Sequence, residues 1–329
     1  MSEHGRWKDY LLKSSLPLEQ VVRRELAGAG VTGLSAFSYL RPNEQGIVAE
    51  FSVDVWGTLL IGGKQGYWGA LDALVECKYN YPGVRWVFRP HDKGSLVITG
   101  CVSVGDELTS VRVKSSAKSL YSLEQTLSCC ARGVEIHSSG CDGNSIQRGL
   151  SQLRYAMLNM IAMSLRNQVQ TWHDEDLYIQ FVVPIFVTTA DLWVLRPEVS
   201  IDDIQAAQEL DEVAVEVPAL VHYEKKTPDL EVYAAGIEDE LVKRYPAVLE
   251  RIQQIRGLTR EDSSHLPVTF EIDHRFESAG QNILVVTLRH FAKVIRRLKR
   301  DIGLVHKDLE RLGRLQADFS AKKAEIIPA

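Results

Sequence analysis

The chain has 329 residues, 45% hydrophobic and 25% charged, with a net charge of −5 and a pI of about 6.0. This is an ordinary globular composition, with apolar material for one large core or two smaller ones. The mild acidity excludes a global basic field of the kind that marks high-affinity, nonspecific nucleic-acid binders, while leaving room for a local basic patch.

The five cysteines are Cys77, Cys101, Cys129, Cys130 and Cys141. An odd count without a C-x-x-C pair argues against a disulfide framework or a thiolate zinc site, and a reducing, cytoplasmic setting is the expectation. The N-terminal "MSEHGRWKDYLLK" lacks the positive-then-apolar pattern of a secretory signal. No stretch approaches the roughly 18 apolar residues of a membrane span. The longest candidate, "YIQFVVPIFVTTADLWVL", is interrupted by Gln180, Pro184 and Asp191.

The first element is "PLEQVVRRELAGAG", a helix over 17–29 with Pro17 in its first turn, an apolar stripe of Val21, Val22 and Leu26, and Gly28 or Gly30 at its end. A strand over 34–41 follows, closed by the turn "PNEQG", and a longer strand runs over 47–61. The glycine-rich "GGKQG" (62–66) then returns the chain into a strand over 70–79. A hairpin centred near Gln65 places Asp54 opposite Glu76, a register that follows from the turn.

Residues 81–142 hold short β-like pieces between Gly/Ser-rich turns. A helix is predicted over 145–166, with Asn144 as N-cap, and an apolar strand pair over 178–195. The acidic segment 197–221 reads as peripheral. Beyond it come a helix over 230–257, strands in "LPVTFEIDHRF" and "NILVVTL", and an amphipathic helix. From Arg289 onward there are 11 Lys/Arg against 5 Asp/Glu, a local excess of 6. That excess suits either a solvated helix face or a surface for phosphates or a partner protein.

The strand "LVECKY" carries Glu76 and Lys78 two positions apart, so both project from one face, roughly 7 Å apart. Charges in an apolar strand are costly unless they pair or bind something. Asp54 can join them through the hairpin. Asp72 shares the face but stands roughly 13 Å from Glu76 along the strand, too far to share one ion. Two converging carboxylates form a hard-oxygen site suited to Mg²⁺ (or Mn²⁺), with the Cys77 carbonyl as a further ligand and Lys78 placed to orient water and offset phosphate charge.

The pattern of Asp54 followed by Glu76-Cys77-Lys78, on adjoining strands after a helix, resembles the PD-(D/E)XK nuclease superfamily. The resemblance covers roughly residues 15–195 and implies an α/β restriction-endonuclease-like core over 1–225, with an insertion near 85–142 and a C-terminal α/β extension over 226–329. It implies a metal-dependent nuclease acting on nucleic acid, with DNA the expected substrate. Asp54, Glu76 and Lys78 would be catalytic, and a helix carboxylate, Glu19 before Glu25, accessory. The metal ligands would be Asp54, Glu76 and Cys77.

Gln152 and Tyr155, on one face of the 145–166 helix, are similar to the Gln…Tyr signature of RecB-like members, with a spacing of three where that subgroup has four. A residue other than proline, Val53, precedes Asp54. A second reading stays open: a nuclease-like fold retained as a nucleic-acid- or protein-binding module. Homodimers are common where both strands of a duplex are cut, and the C-terminal helix is the segment that could supply such an interface.

Other features carry less. "YNYPGVRWVFRP" interleaves aromatics with arginines, so Arg85 and Trp86 are candidates to grip phosphate and stack on bases, with core packing the alternative. Arg132, Glu135 and His137 are candidates to line the same cleft. Asp273 and His274 form a dyad without an evident nucleophile.

Overall fold

The computed structural model describes residues 3–43, 45–64, 67–91, 99–104, 110–115, 127–171, 177–244, 268–273 and 279–303. Among these the architecture is mixed α/β: helices flank a large sheet whose main strand order is β1-β2-β3-β9-β14-β12-β7-β4-β10-β11. These strands are β1 (Thr32–Pro42), β2 (Val48–Lys64), β3 (Tyr67–Lys78), β4 (Arg85–Pro90), β7 (Ser128–His137), β9 (Leu177–Thr188), β10 (Asp191–Leu195), β11 (Ala214–Val217), β12 (Ala219–Tyr223) and β14 (Asn282–Thr287). A side ribbon of β5 (Thr99–Val104), β6 (Ser110–Ser115) and β13 (Val268–Asp273) joins the first half of β9, and β8 (Gly140–Asp142) pairs with β7.

Two cores lie on the two faces. One is roofed by α3 (Asn144–Thr171) and α5 (Pro228–Arg244), with Leu150, Leu153, Met157 and Ile161 of α3 packed on Phe88, Phe186 and Val285. The other is roofed by α2 (Leu16–Gly28) and α6 (288–303), through Val22, Leu26, Phe291 and Leu298. Gly149 lets α3 settle closely on the sheet, since a Cβ there would stand 2.3 Å from Cζ of Phe186.

Helix α2 ends as its sequence suggests. Gly30 adopts φ 93°, its N–H reaches the Ala27 carbonyl, and the Val31 N–H reaches the Leu26 carbonyl, a Schellman closure that buries Val31. A further helix, α1 (Glu3–Lys13), precedes it and was not anticipated.

Several expectations are corrected. Asn144 is not the cap of α3; it lies within the helix, and the Asp142 Oδ1 accepts its N–H at 2.7 Å. The 178–195 strands do not pair with each other. β9 pairs with β3 and β14, whereas β10 pairs with β4 and β11.

Nor is the segment read as a C-terminal extension separate: β14 lies between β9 and β12, and α6 shares the core of α2. The 197–221 segment is only partly peripheral. It contains α4 (Ile201–Ala206), a 3₁₀ turn (Leu210–Glu212) and the outer strand β11, but it continues into β12, whose Ala219 to His222 are all buried. Among the described residues no helix is long and apolar enough to cross a membrane. His274 and much of the predicted basic helix lie outside the described residues.

Candidate active site

The β2–β3 ladder runs from Lys64↔Tyr67, through a register shift before Ile61↔Gly69, back to Val55↔Val75, and from Ile61 onward it holds the register expected for a turn centred near Gln65. It stops there, one step short of Asp54 and Glu76. On its other side β2 pairs with β1, where Ser35 faces Trp56 but Phe37 already faces Val53. Two residues of β1 are thus matched by three of β2, which places a β-bulge at Asp54–Val55 opposite Ala36. The bulge reverses which residues point up. Val53 packs into the α3 core, whereas Val55 packs into the α2 core. Asp54 therefore sits where the strand turns over and where β2 and β3 part.

Three contacts hold that position. Asp54 Oδ2 accepts the backbone N–H of Cys77 at 2.7 Å. The Arg23 guanidinium of α2 donates Nη2 to the Asp54 carbonyl and Nη1 to the Leu34 carbonyl, both at 3.3 Å, taking up acceptors that an irregular ladder leaves free. Helix α2 is itself tied to the end of β3: Ser15, at φ 60°, accepts the Tyr79 N–H on its hydroxyl at 3.2 Å. The first turn of α2 thereby presents Glu19 beside the strand end that carries Glu76 and Lys78.

The electrostatics bind these groups into one site. Burial pushes the Asp54 carboxyl up to about 6; the Cys77 amide opposes this, Glu19 adds to it, and Arg23 opposes it. Burial likewise raises Glu76 well above the carboxylate range, reinforced by the negative charges of Asp54 and Glu19 and opposed by the Asp54 amide and Lys78. Glu76 Oε2 is buried and has no hydrogen-bond partner among the described residues. Of the two α2 carboxylates, Glu19 is the one whose field reaches the pair; Glu25 does not enter it.

A divalent cation fits this donor set: two mutually repelling carboxylates, one with a buried, unpartnered oxygen, are the groups whose charge it would neutralise. Among the described residues no three Asp, Glu, His or Cys side chains form a metal-holding group. A cation here would rest on Asp54 and Glu76, with the Cys77 carbonyl as third oxygen. N–H and C=O of one strand residue point to the same side, and the Cys77 N–H already faces Asp54. Asp72, set aside in the sequence, is occupied elsewhere, accepting from the Thr58 hydroxyl at 2.5 Å and the Trp56 indole at 3.3 Å.

The expected substrate residues divide. Gln152 lies close by, donating Nε2 to the Ser52 carbonyl at 3.2 Å, two residues from Asp54. Tyr155 is interior, with its hydroxyl donated to Asp229 Oδ2 at 2.6 Å. Trp86 is fully buried against Phe88 and Phe186 and donates its indole N–H to Glu135, so it presents no face to a substrate. Arg85 is exposed, near the Trp193 ring. Arg132, Glu135 and His137 belong to β7, which three strands separate from β3 in the sheet order.

Sequence reasoning missed Arg23; its helical spacing of four from Glu19 was the available signal. Of the cationic C-terminal segment, Lys299 donates to the Ala29 carbonyl and Arg289 bridges Asp191 and Glu216, so part of that charge is spent within the fold.

A scan of protein-family models, a search of curated proteins and a search of solved structures each return no match.

Proposed function

We propose that this chain is a metal-dependent nuclease with a restriction-endonuclease-like core, hydrolysing phosphodiester bonds of nucleic acid, DNA foremost. The observation that carries the reading is the placement of Asp54 on a bulge at the fork of β2 and β3, bonded to the Cys77 amide and within the field of Glu76.

Asp54, Glu76 and the Cys77 carbonyl would hold Mg²⁺ or Mn²⁺. The cation, when bound, supplies Lewis acidity at the phosphodiester and neutralises developing negative charge. Lys78 orients the attacking water by donating to it and offsets charge as a P–O bond to water forms and the bond to the leaving oxygen breaks. Glu19 stands behind the pair and tunes its charge, and Arg23 keeps the bulge in shape.

The test is cleavage of labelled single- and double-stranded DNA and RNA with Mg²⁺ or Mn²⁺. Cleavage by the wild type that disappears in Lys78→Ala supports a nuclease. Retained binding with no cleavage under either metal would leave the binding-module reading in its place.

A further inference from the structure

Arg41 of β1 is held in an unusual way. Its guanidinium lies 4.1 Å from the centroid of the Phe51 ring and 4.1 Å from that of Tyr155, sandwiched between two aromatic faces. Such stacking fixes the plane of the fork and leaves its donors at the edge. Yet among the described residues Arg41 has no carboxylate at ion-pair distance, and its Nε is buried without a hydrogen-bond partner. The guanidinium also hydrogen-bonds the Tyr155 hydroxyl, which in turn donates to the Asp229 carboxylate, so Asp229 reaches Arg41 only through the tyrosine. An arginine needed only for packing would be replaceable by an apolar side chain, whereas a rigid, half-buried guanidinium without an anion is suited to receive one.

Its place in the fold says which. Tyr39 and Arg41 share a face of β1, and the Tyr39 phenol feels the charges of both Arg41 and Glu76. The same phenol donates to the Gln152 carbonyl, while Gln152 donates to Ser52 on β2. Arg41 faces Ala49, five residues along β2 from Asp54. That is roughly 17 Å of strand, the rise of about five phosphates along one strand of a duplex.

We propose that Arg41 is the seat of a second backbone phosphate of the bound strand, about five nucleotides from the scissile one in duplex geometry. The proposal rests on the nuclease reading for the identity of the strand, but its test is separate. Full-length wild type, Arg41→Ala and Arg41→Lys are titrated against a labelled 12-nucleotide DNA, single-stranded and duplex, in EDTA across a salt series, with thermal unfolding of each protein alongside.

Arg41→Ala is expected to weaken binding about tenfold and to lower the slope of log affinity against log salt by about 0.7 for the single strand and about 0.9 for the duplex, one phosphate's worth of released counterion. Arg41→Lys, which keeps the charge and loses the planar fork, is expected to keep the slope while losing affinity. An unchanged slope, or a loss of affinity that tracks loss of folding in both variants, overturns the proposal even if the wild type cuts DNA. The expected slope change in a protein that cuts nothing with Mg²⁺ or Mn²⁺ upholds the phosphate seat and removes the nuclease. A wild type that binds neither DNA overturns the phosphate seat and leaves the nuclease reading to the cleavage assay.

Discussion

Asp54 receives the Cys77 amide proton on Oδ2 at 2.7 Å, across the point where β2 and β3 separate. Had the ladder continued in register, Cys77 would stand opposite Val53. Its amide instead finds a side-chain acceptor, so the strands part without a buried donor being orphaned. The contact both ends the pairing and aims a carboxylate, and it lowers the cost of the charge that the fork gathers.

Asp54→Asn keeps an oxygen for the Cys77 amide but removes one of the charges that repel Glu76. On the nuclease reading, cleavage should fall about 100-fold or more, as losing a metal ligand costs at least what losing its supporting partners does. In EDTA the variant should unfold at a higher temperature than the wild type. Added Mg²⁺ should raise the wild-type Tm and leave the variant's nearly unchanged, which differential scanning with and without the cation would read.

Arg23→Ala removes both donors to the Asp54 and Leu34 carbonyls. A loss of about 1–3 kcal/mol in urea unfolding is expected, with kcat falling more than KM rises, because the bulge that aims Asp54 loosens. Arg23→Lys cannot span two carbonyls with a planar fork and should recover only part of either loss.

Gly149→Ala should destabilise the protein by about 1–3 kcal/mol through overpacking, because the added methyl meets the Phe186 ring. Thermal unfolding gives the measurement. A variant as stable as the wild type would mean that α3 can lift from the sheet at no cost.

Asp72 provides a pH signature independent of the proposed metal site. Burial pushes its carboxyl up to about 6, against hydrogen bonds from Thr58 and Trp56 that pull it down. The folded state therefore holds this proton more tightly than the unfolded chain, whose aspartate titrates near 3.9. The stabilising contribution is complete below the unfolded value and is lost as pH rises through about 6. Asp72→Asn stays neutral throughout. Its stability relative to wild type should be greater at pH 7.5 than at pH 4.5, on the order of 1–3 kcal/mol, by urea unfolding at the two pH values.

The hairpin was legible because pairing in a hairpin is set locally: the midpoint expected at Gln65 gives the partner of every residue from Ile61↔Gly69 down to Val55↔Val75, with a register shift only before Lys64↔Tyr67. The bulge at Asp54 was not. It is defined against β1, has no glycine to betray it, and shows only when two registers are compared. The burial of Trp86 did have a signal, since "WVF" is the continuous apolar run of a strand covered on both faces, and the neighbouring arginines drew the reading outward. The insertion of β14 between β9 and β12 had none, because parallel neighbours are chosen by how distant helices pack, not by local turns.

That insertion governs the order in which the molecule can be made. The second half of β9, which backs Val75 to Lys78, finds its outer partner only in residues 284–287, about a hundred positions later in the chain. A nascent polypeptide emerging from the ribosome can close the β2–β3 hairpin at once, yet it leaves β9 and β12 with open edges until β14 arrives between them. The sheet behind Val75 to Lys78 thereby gains its full backing only once residues 284–287 have been made.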